Sequence, residues 1–84
     1  MTGAAEVDET MLYAWVALSA ALVMGVAALA TAWAQSRIGA AGAATLAEKP
    51  ELSTTIVVLV AIPETMVILG FVVALVIILR ATGG

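Results

Sequence analysis

Cysteine and histidine are absent from the 84 residues. That excludes disulfide frameworks and Cys/His metal sites, and it leaves the redox compartment unread. Charge is scarce as well: three Lys or Arg and six Asp or Glu make up 11% of the chain. There is no basic patch, so nucleic acid is not an expected partner. There is no phosphate-binding loop, activated nucleophile or acid–base pair, so the chain is expected to make no covalent bonds of its own and to need no cofactor. Aromatics amount to 5%, and the only prolines are Pro50 and Pro63.

What remains is apolar. Hydrophobic residues make up 64% of the chain, where a soluble domain uses nearer half. A chain this short buries only a small core of its own in water, so a bilayer and partner subunits are expected to cover the rest. The first segment, Met1 to Thr10, carries Glu6, Asp8 and Glu9 and no positive side chain. A secretory signal starts positive and ends at a cleavage site. The first apolar run is therefore expected to be a retained span.

That run extends from Met11 to Ser36 without a formal charge, and a second extends from Ile56 to Leu79. Each is long enough to cross a bilayer as a helix, which takes about twenty residues. Barrel strands would alternate in polarity, and these runs do not. Between them the sharpest break is Glu48-Lys49-Pro50-Glu51. Proline suits the first turn of a new helix, and an acidic neighbour suits that helix's positive end. Alanine is the best helix former, so the Gly39–Ala44 stretch is expected to continue helix one. Thr10 is the expected N-cap. The organisation expected is a polar acidic segment at 1–10, a first transmembrane helix at 11–47, a turn at 48–51, a second transmembrane helix at 52–80 and a tail at 81–84. The fold class is an all-α membrane protein, an antiparallel hairpin of two transmembrane helices.

The two helices differ in kind. Ala17, Ala21, Gly25, Ala28, Ala32, Gly39 and Gly42 recur at steps of three and four, with Gln35 filling the one gap. They make a smooth stripe on helix one, and such stripes let membrane helices approach closely. Helix two is mostly Val, Ile and Leu. A thin helix beside a bulky one makes a wedge. Wedges pack into closed rings with the stripe on the crowded inner wall, while a simple dimer uses the same stripe. Tyr13 and Trp15 sit where interfacial aromatics belong, and Trp33 is expected to meet lipid or a packing partner. Arg37 and Lys49 on the turn side outnumber Arg80 on the other, which favours a cytoplasmic turn with both termini on the outer face.

Glu64 is the only formal charge in the second run. A charge at that depth costs roughly 2.5–3.5 kcal/mol on insertion scales. A carboxyl avoids most of the cost by holding its proton. Glu64 is thus the candidate carrier of a proton or a small cation. Counted from Lys49-Pro50, Gln35 mirrors Glu64, and its amide has the groups to bond a neutral carboxyl. Pro63 removes a backbone donor and frees the Leu59 carbonyl, which gives a kink beside the carboxyl. Thr65 adds a hydroxyl, which either joins the site or bonds back to its own helix.

The stretch Ala34-Gln35-Ser36-Arg37-Ile38-Gly39-Ala40-Ala41-Gly42, the Ala47-Glu48-Lys49-Pro50 turn and Ile62-Pro63-Glu64-Thr65 resemble the proteolipid ring subunit of V-type and archaeal A-type rotary ATPases. The resemblance covers nearly all of the chain after Thr10. It implies an oligomeric ring of identical hairpins in a prokaryotic cell membrane, with Glu64 as the essential carboxylate and Gln35 as the helix-one glutamine. It also implies a stator membrane subunit that presents an arginine to each carboxylate, and central-stalk subunits that dock on the turn. Glu48, Lys49 and Glu51 are then candidate stalk contacts. Relatives thought to carry sodium often have Gln two residues after the glutamate and Tyr five after it. Met66 and Leu69 stand at those positions. Hard cations bind thioether and alkyl groups poorly, so the expected transported ion is a proton. Rival readings are a two-span holin-like pore, a small multidrug exporter, and a sodium-coupled or F-type version of the same ring.

Overall fold

The computed structural model describes residues 8–83. Residues 1–7 of the expected acidic segment, and Gly84, lie outside the described residues. Helix α1 runs Glu9–Glu48, a short 3-10 turn runs Pro50–Leu52, and helix α2 runs Ser53–Ala81. The molecule is a rod 71 × 23 × 11 Å. Both helices are long and apolar enough to cross a membrane. At 1.5 Å per residue the 40-residue α1 is about 60 Å long, twice the hydrocarbon thickness. One end of it must project into water.

The start of α1 corrects the expected cap. Asp8, not Thr10, caps the helix: its carboxylate accepts from the Met11 backbone N–H at 2.7 Å. Asp ranks with the best N-caps, and its charge suits the positive end of the helix, so the helix starts one residue before Thr10. At the other end Lys49 alone leaves helical geometry, and Pro50 opens the 3-10 turn at its first position. Proline needs no N–H there. The Leu52 N–H closes that turn onto the Lys49 carbonyl at 3.0 Å. Helix α2 ends at Ala81, with Gly83 in the left-handed region at φ 109° and Arg80 in its last turn.

The helices meet along a narrow seam. On α2 the covered positions are Ile56, Val60, Pro63, Val67, Gly70, Ala74 and Ile77, alternating steps of four and three as in a coiled-coil seam. On α1 they include Ala20, Ala27, Thr31, Ala34, Ile38 and Gly42. Two glycines set the spacing. A methyl on Gly70 would lie 2.6 Å from the Ala27 Cβ, and one on Gly42 would lie 2.5 Å from the Ile56 Cγ2. Gly42 therefore serves the hairpin itself. The rest of the small stripe is elsewhere: Ala17, Ala21, Gly25, Ala28 and Ala32 are exposed and Gly39 is half-buried.

Helix geometry places that stripe about a quarter-turn round α1 from the seam. The face of α1 opposite the seam is not small at all. Trp15, Leu18, Leu22, Val26, Leu29 and Trp33 form a ridge there at steps of three and four, with Leu29 74% and Trp33 66% exposed. Were α1 to form the inner wall of a ring, this ridge and not the alanine stripe would line the hole. The stripe would lie between neighbouring copies.

Candidate functional site

Two side chains of α1 reach across the seam to α2, both beside Pro63. The Thr31 hydroxyl donates to the Pro63 carbonyl at 3.1 Å. One turn further along, the Gln35 side-chain amide donates to the Val60 carbonyl at 3.3 Å. Together they hold the α2 backbone over the turn that leads into Glu64. Proline in a helix interior removes one intrahelical bond. The two crossing donors are concentrated where the helix is weakened. Neither goes to Leu59, whose carbonyl the sequence singles out as the freed acceptor.

These bonds fix the register. Gln35 reaches the Val60 carbonyl, while Gly42 lies against Ile56 and Gly70 against Ala27, so the helices pair only one or two residues from the mirror count and Gln35 stays near the level of the Pro63-Glu64 step. Thr31 joins Gln35 there, its hydroxyl reaching the Pro63 carbonyl. The sequence pattern alone does not single out Thr31. It is 4% exposed, the one buried polar side chain among the described residues. A hydroxyl within an alanine-rich run bears no charge and barely alters hydropathy. Its only signal is its place four residues before Gln35, on the same helix face.

Glu64 is exposed on the single hairpin, whereas Pro63 beside it is buried. Right-handed progression along two antiparallel helices turns Glu64 to the same side of the hairpin as the small stripe of α1. Met66 turns to the other side, where it shares a groove with Leu22, Val26 and Ala30. Thr65 points away from the seam. Its hydroxyl donates to the Ile62 carbonyl of its own helix at 2.7 Å, the second of the two roles left open for it. The arrangement thus presents one carboxyl on a smooth flank, behind which Thr31, Gln35 and Pro63 set its depth. Glu48, Lys49 and Glu51 are all exposed at the turn, far from this group.

No curated protein and no solved structure matches the chain. A family model does: residues 18–77 match the family of the ATP synthase C subunit. The matched stretch takes in the seam of both helices, the turn, Thr31, Gln35 and the Pro63-Glu64-Thr65 motif, and it excludes only the two ends. It also sets the chain apart from two-span pore formers and small multidrug exporters. The chain is an integral membrane protein and belongs to the ATP synthase C-subunit family, the non-catalytic membrane ring subunits of the ATP synthase complex.

Proposed function

We propose that the chain is the rotor-ring subunit of a V/A-type rotary ATPase, carrying protons by reversible protonation of Glu64. The observation that carries this reading is a lone carboxyl within a membrane span, exposed on the flank of its own hairpin. An ionisable group at such depth marks an ion pathway by default. Placed on that flank, it can be covered by a neighbouring copy and uncovered at a gap in the ring. A stator arginine facing the carboxyl would favour the ionised form and release the proton. A second access path would then reload the site after the ring has turned. Moving one charge through 100 mV supplies about 2.3 kcal/mol, so several crossings are needed per ATP.

Assignment to the V/A branch, not the F-type, rests on the Gln35-Ser36-Arg37 and Pro63-Glu64-Thr65 stretches. Proton rather than sodium is favoured by a thin oxygen shell. Thr65 spends its hydroxyl on its own helix, and Met66 and Leu69 offer no oxygen at all. Gln35 supports the site from behind through the α2 backbone. The exposed turn residues Glu48, Lys49 and Glu51 are the surface offered to the central stalk. The turn lies on the cytoplasmic side of a prokaryotic membrane, following the Arg37 and Lys49 excess.

Carbodiimide labelling of Glu64, with and without sodium at neutral pH, tests the ion. Labelling that sodium leaves unchanged is expected, and protection by sodium would replace the proton with sodium. The Glu64→Gln chain is expected to assemble and to abolish ion-driven ATP turnover; retained turnover would end the rotor reading.

A further inference from the structure

Helix α2 carries one aromatic side chain, Phe71, because the single Tyr and both Trp residues lie on α1. Phe71 is 55% exposed on the hairpin. It follows Glu64 by seven residues, or two helical turns, so the two share one face of α2 about 10 Å apart. That face belongs to the flank on which α1 offers its alanine and glycine stripe. Phe71 is the largest apolar side chain there, a knob on an otherwise smooth surface.

The opposite flank is concave. Val23, Ala27 and Ala30 make the floor of a groove of about 660 Å³, with Leu22 and Val26 of α1 on one wall and Met66 and Leu69 of α2 on the other. Every side chain lining it is apolar. The floor continues into the seam, since Ala27 is the residue that a methyl on Gly70 would strike.

A closed ring repeats one contact head to tail, so each copy offers one flank to the copy before it and the other to the copy after it. The ring of this family therefore lays the Phe71 flank of one hairpin on the grooved flank of the next. Copies related by an axis along the membrane normal keep each residue at its own depth. Gly70 packs at the level of Ala27, so Phe71 of every copy stands near the level of Val26 and Ala27. That is the middle of the groove, which runs along α1 from Leu22 to Ala30. A stripe of alanine and glycine alone would leave the groove empty, and its lining would forfeit the contacts that close packing supplies. An enclosed aromatic ring buries about 150–250 Å². We propose that the groove is the socket for Phe71 of the neighbouring copy, and that this knob and socket set how one hairpin seats on the next. The proposal rests on the ring and not on the ion it carries. With Phe71 seated, Glu64 comes to the far end of the socket, about 3 Å in depth from the next copy's Met66. The socket residues it meets there offer only alkyl and thioether groups.

The test uses the full-length protein assembled in bilayers. Phe71 is replaced by p-benzoylphenylalanine, whose ketone inserts into nearby C–H bonds on irradiation, and the products are mapped by mass spectrometry. A chain cannot reach its own groove, which lies across the seam, so insertion there reports a second copy. A ladder of covalent multimers joined at Leu22, Val26, Met66 or Leu69 is expected. Insertion confined to lipid, to position 71 of another copy or to the Trp15–Trp33 ridge would overturn the proposal. Size exchange is the second measurement, and it decides should the photoreactive chain fail to assemble. Phe71→Ala empties the socket. Ala30→Phe plugs it, because a helical side chain leans toward the N-terminus and so toward Val26. Each alone is expected to lower the ring yield several-fold. The two together are expected to restore most of it, and losses that simply multiply refute the socket. A ring joined elsewhere removes the socket and leaves the Glu64 reading standing, whereas no ring from the unsubstituted protein removes both.

Discussion

Thr31→Val is the most informative single change. Valine matches threonine in shape, so the buried site, 4% exposed, acquires no cavity. What is lost is the hydroxyl bond to the Pro63 carbonyl. That carbonyl remains within α2, where the helix ladder still supplies an N–H, so no buried acceptor is orphaned. The cost is then that of one interhelical bond in a membrane, about 0.6 kcal/mol on average and about 1.7 at most. The ring is expected to assemble. The turn carrying Glu64 loses one of its two crossing supports, and since that bond goes to the Pro63 backbone and not to the carboxyl, about 0.6 kcal/mol limits the change in the carboxyl's reactivity to roughly three-fold. Mixed rings provide the assay. Unsubstituted and Thr31→Val chains are combined in one ring, labelled with carbodiimide and separated by mass. Valine chains are expected to label differently from threonine chains by up to about three-fold, with Thr31→Ser close to the parent. Ser36→Ala is the control, because the Ser36 hydroxyl bonds only to the Trp33 carbonyl of its own helix. If Thr31→Val and Ser36→Ala label identically, the support assigned to Thr31 is wrong.

Gly70→Ala is expected to loosen the hairpin by about 1–3 kcal/mol, the usual cost of overpacking, because its methyl would lie 2.6 Å from Ala27. Resistance of the isolated hairpin to denaturing detergent measures it. Gly25→Leu meets nothing within the hairpin and is expected to leave that resistance intact. If copies pack through the small stripe, it nevertheless lowers the yield of assembled ring, and an unchanged yield would remove the stripe from the copy interface. Asp8→Ala removes the N-cap of α1 and is expected to cost about 1 kcal/mol. Faster amide exchange confined to the first turn of α1, with unchanged labelling of Glu64, is the expected result.

The two spans can be read from run length alone, because a bilayer imposes a minimum that few soluble helices meet. Glu64 can be read because one charge in a long apolar run has a cost that demands a reason. The turn is legible in Pro50, whose missing N–H fits only a few positions. The register is not legible. It depends on how many residues the turn consumes, and Lys49 and the Pro50–Leu52 turn consume them unevenly. A shift of one or two residues is enough to bring Thr31 to the Pro63 turn beside Gln35. The stripe is legible as a pattern but not as an interface. Gly42 belongs to the periodicity, yet it is spent beneath Ile56.

The three faces of α1 explain why one helix of the hairpin is so much smoother than the other. One face must admit Pro63 and Gly70 of α2 closely enough for two side-chain bonds to cross. A second face, alanine and glycine, lies on the flank that also carries Glu64. A third face is bulky and ends at Arg37. If the smooth face met lipid, its lack of side chains would forfeit contacts that Leu or Val would make, since packing drives association in membranes. Small residues there are favoured only if another backbone comes close. The same approach would bring a helix over the Glu64 carboxyl, which a lone hairpin leaves uncovered. The cost of that uncovered acid and the smoothness beside it thus point to one remedy, a neighbouring copy on that flank.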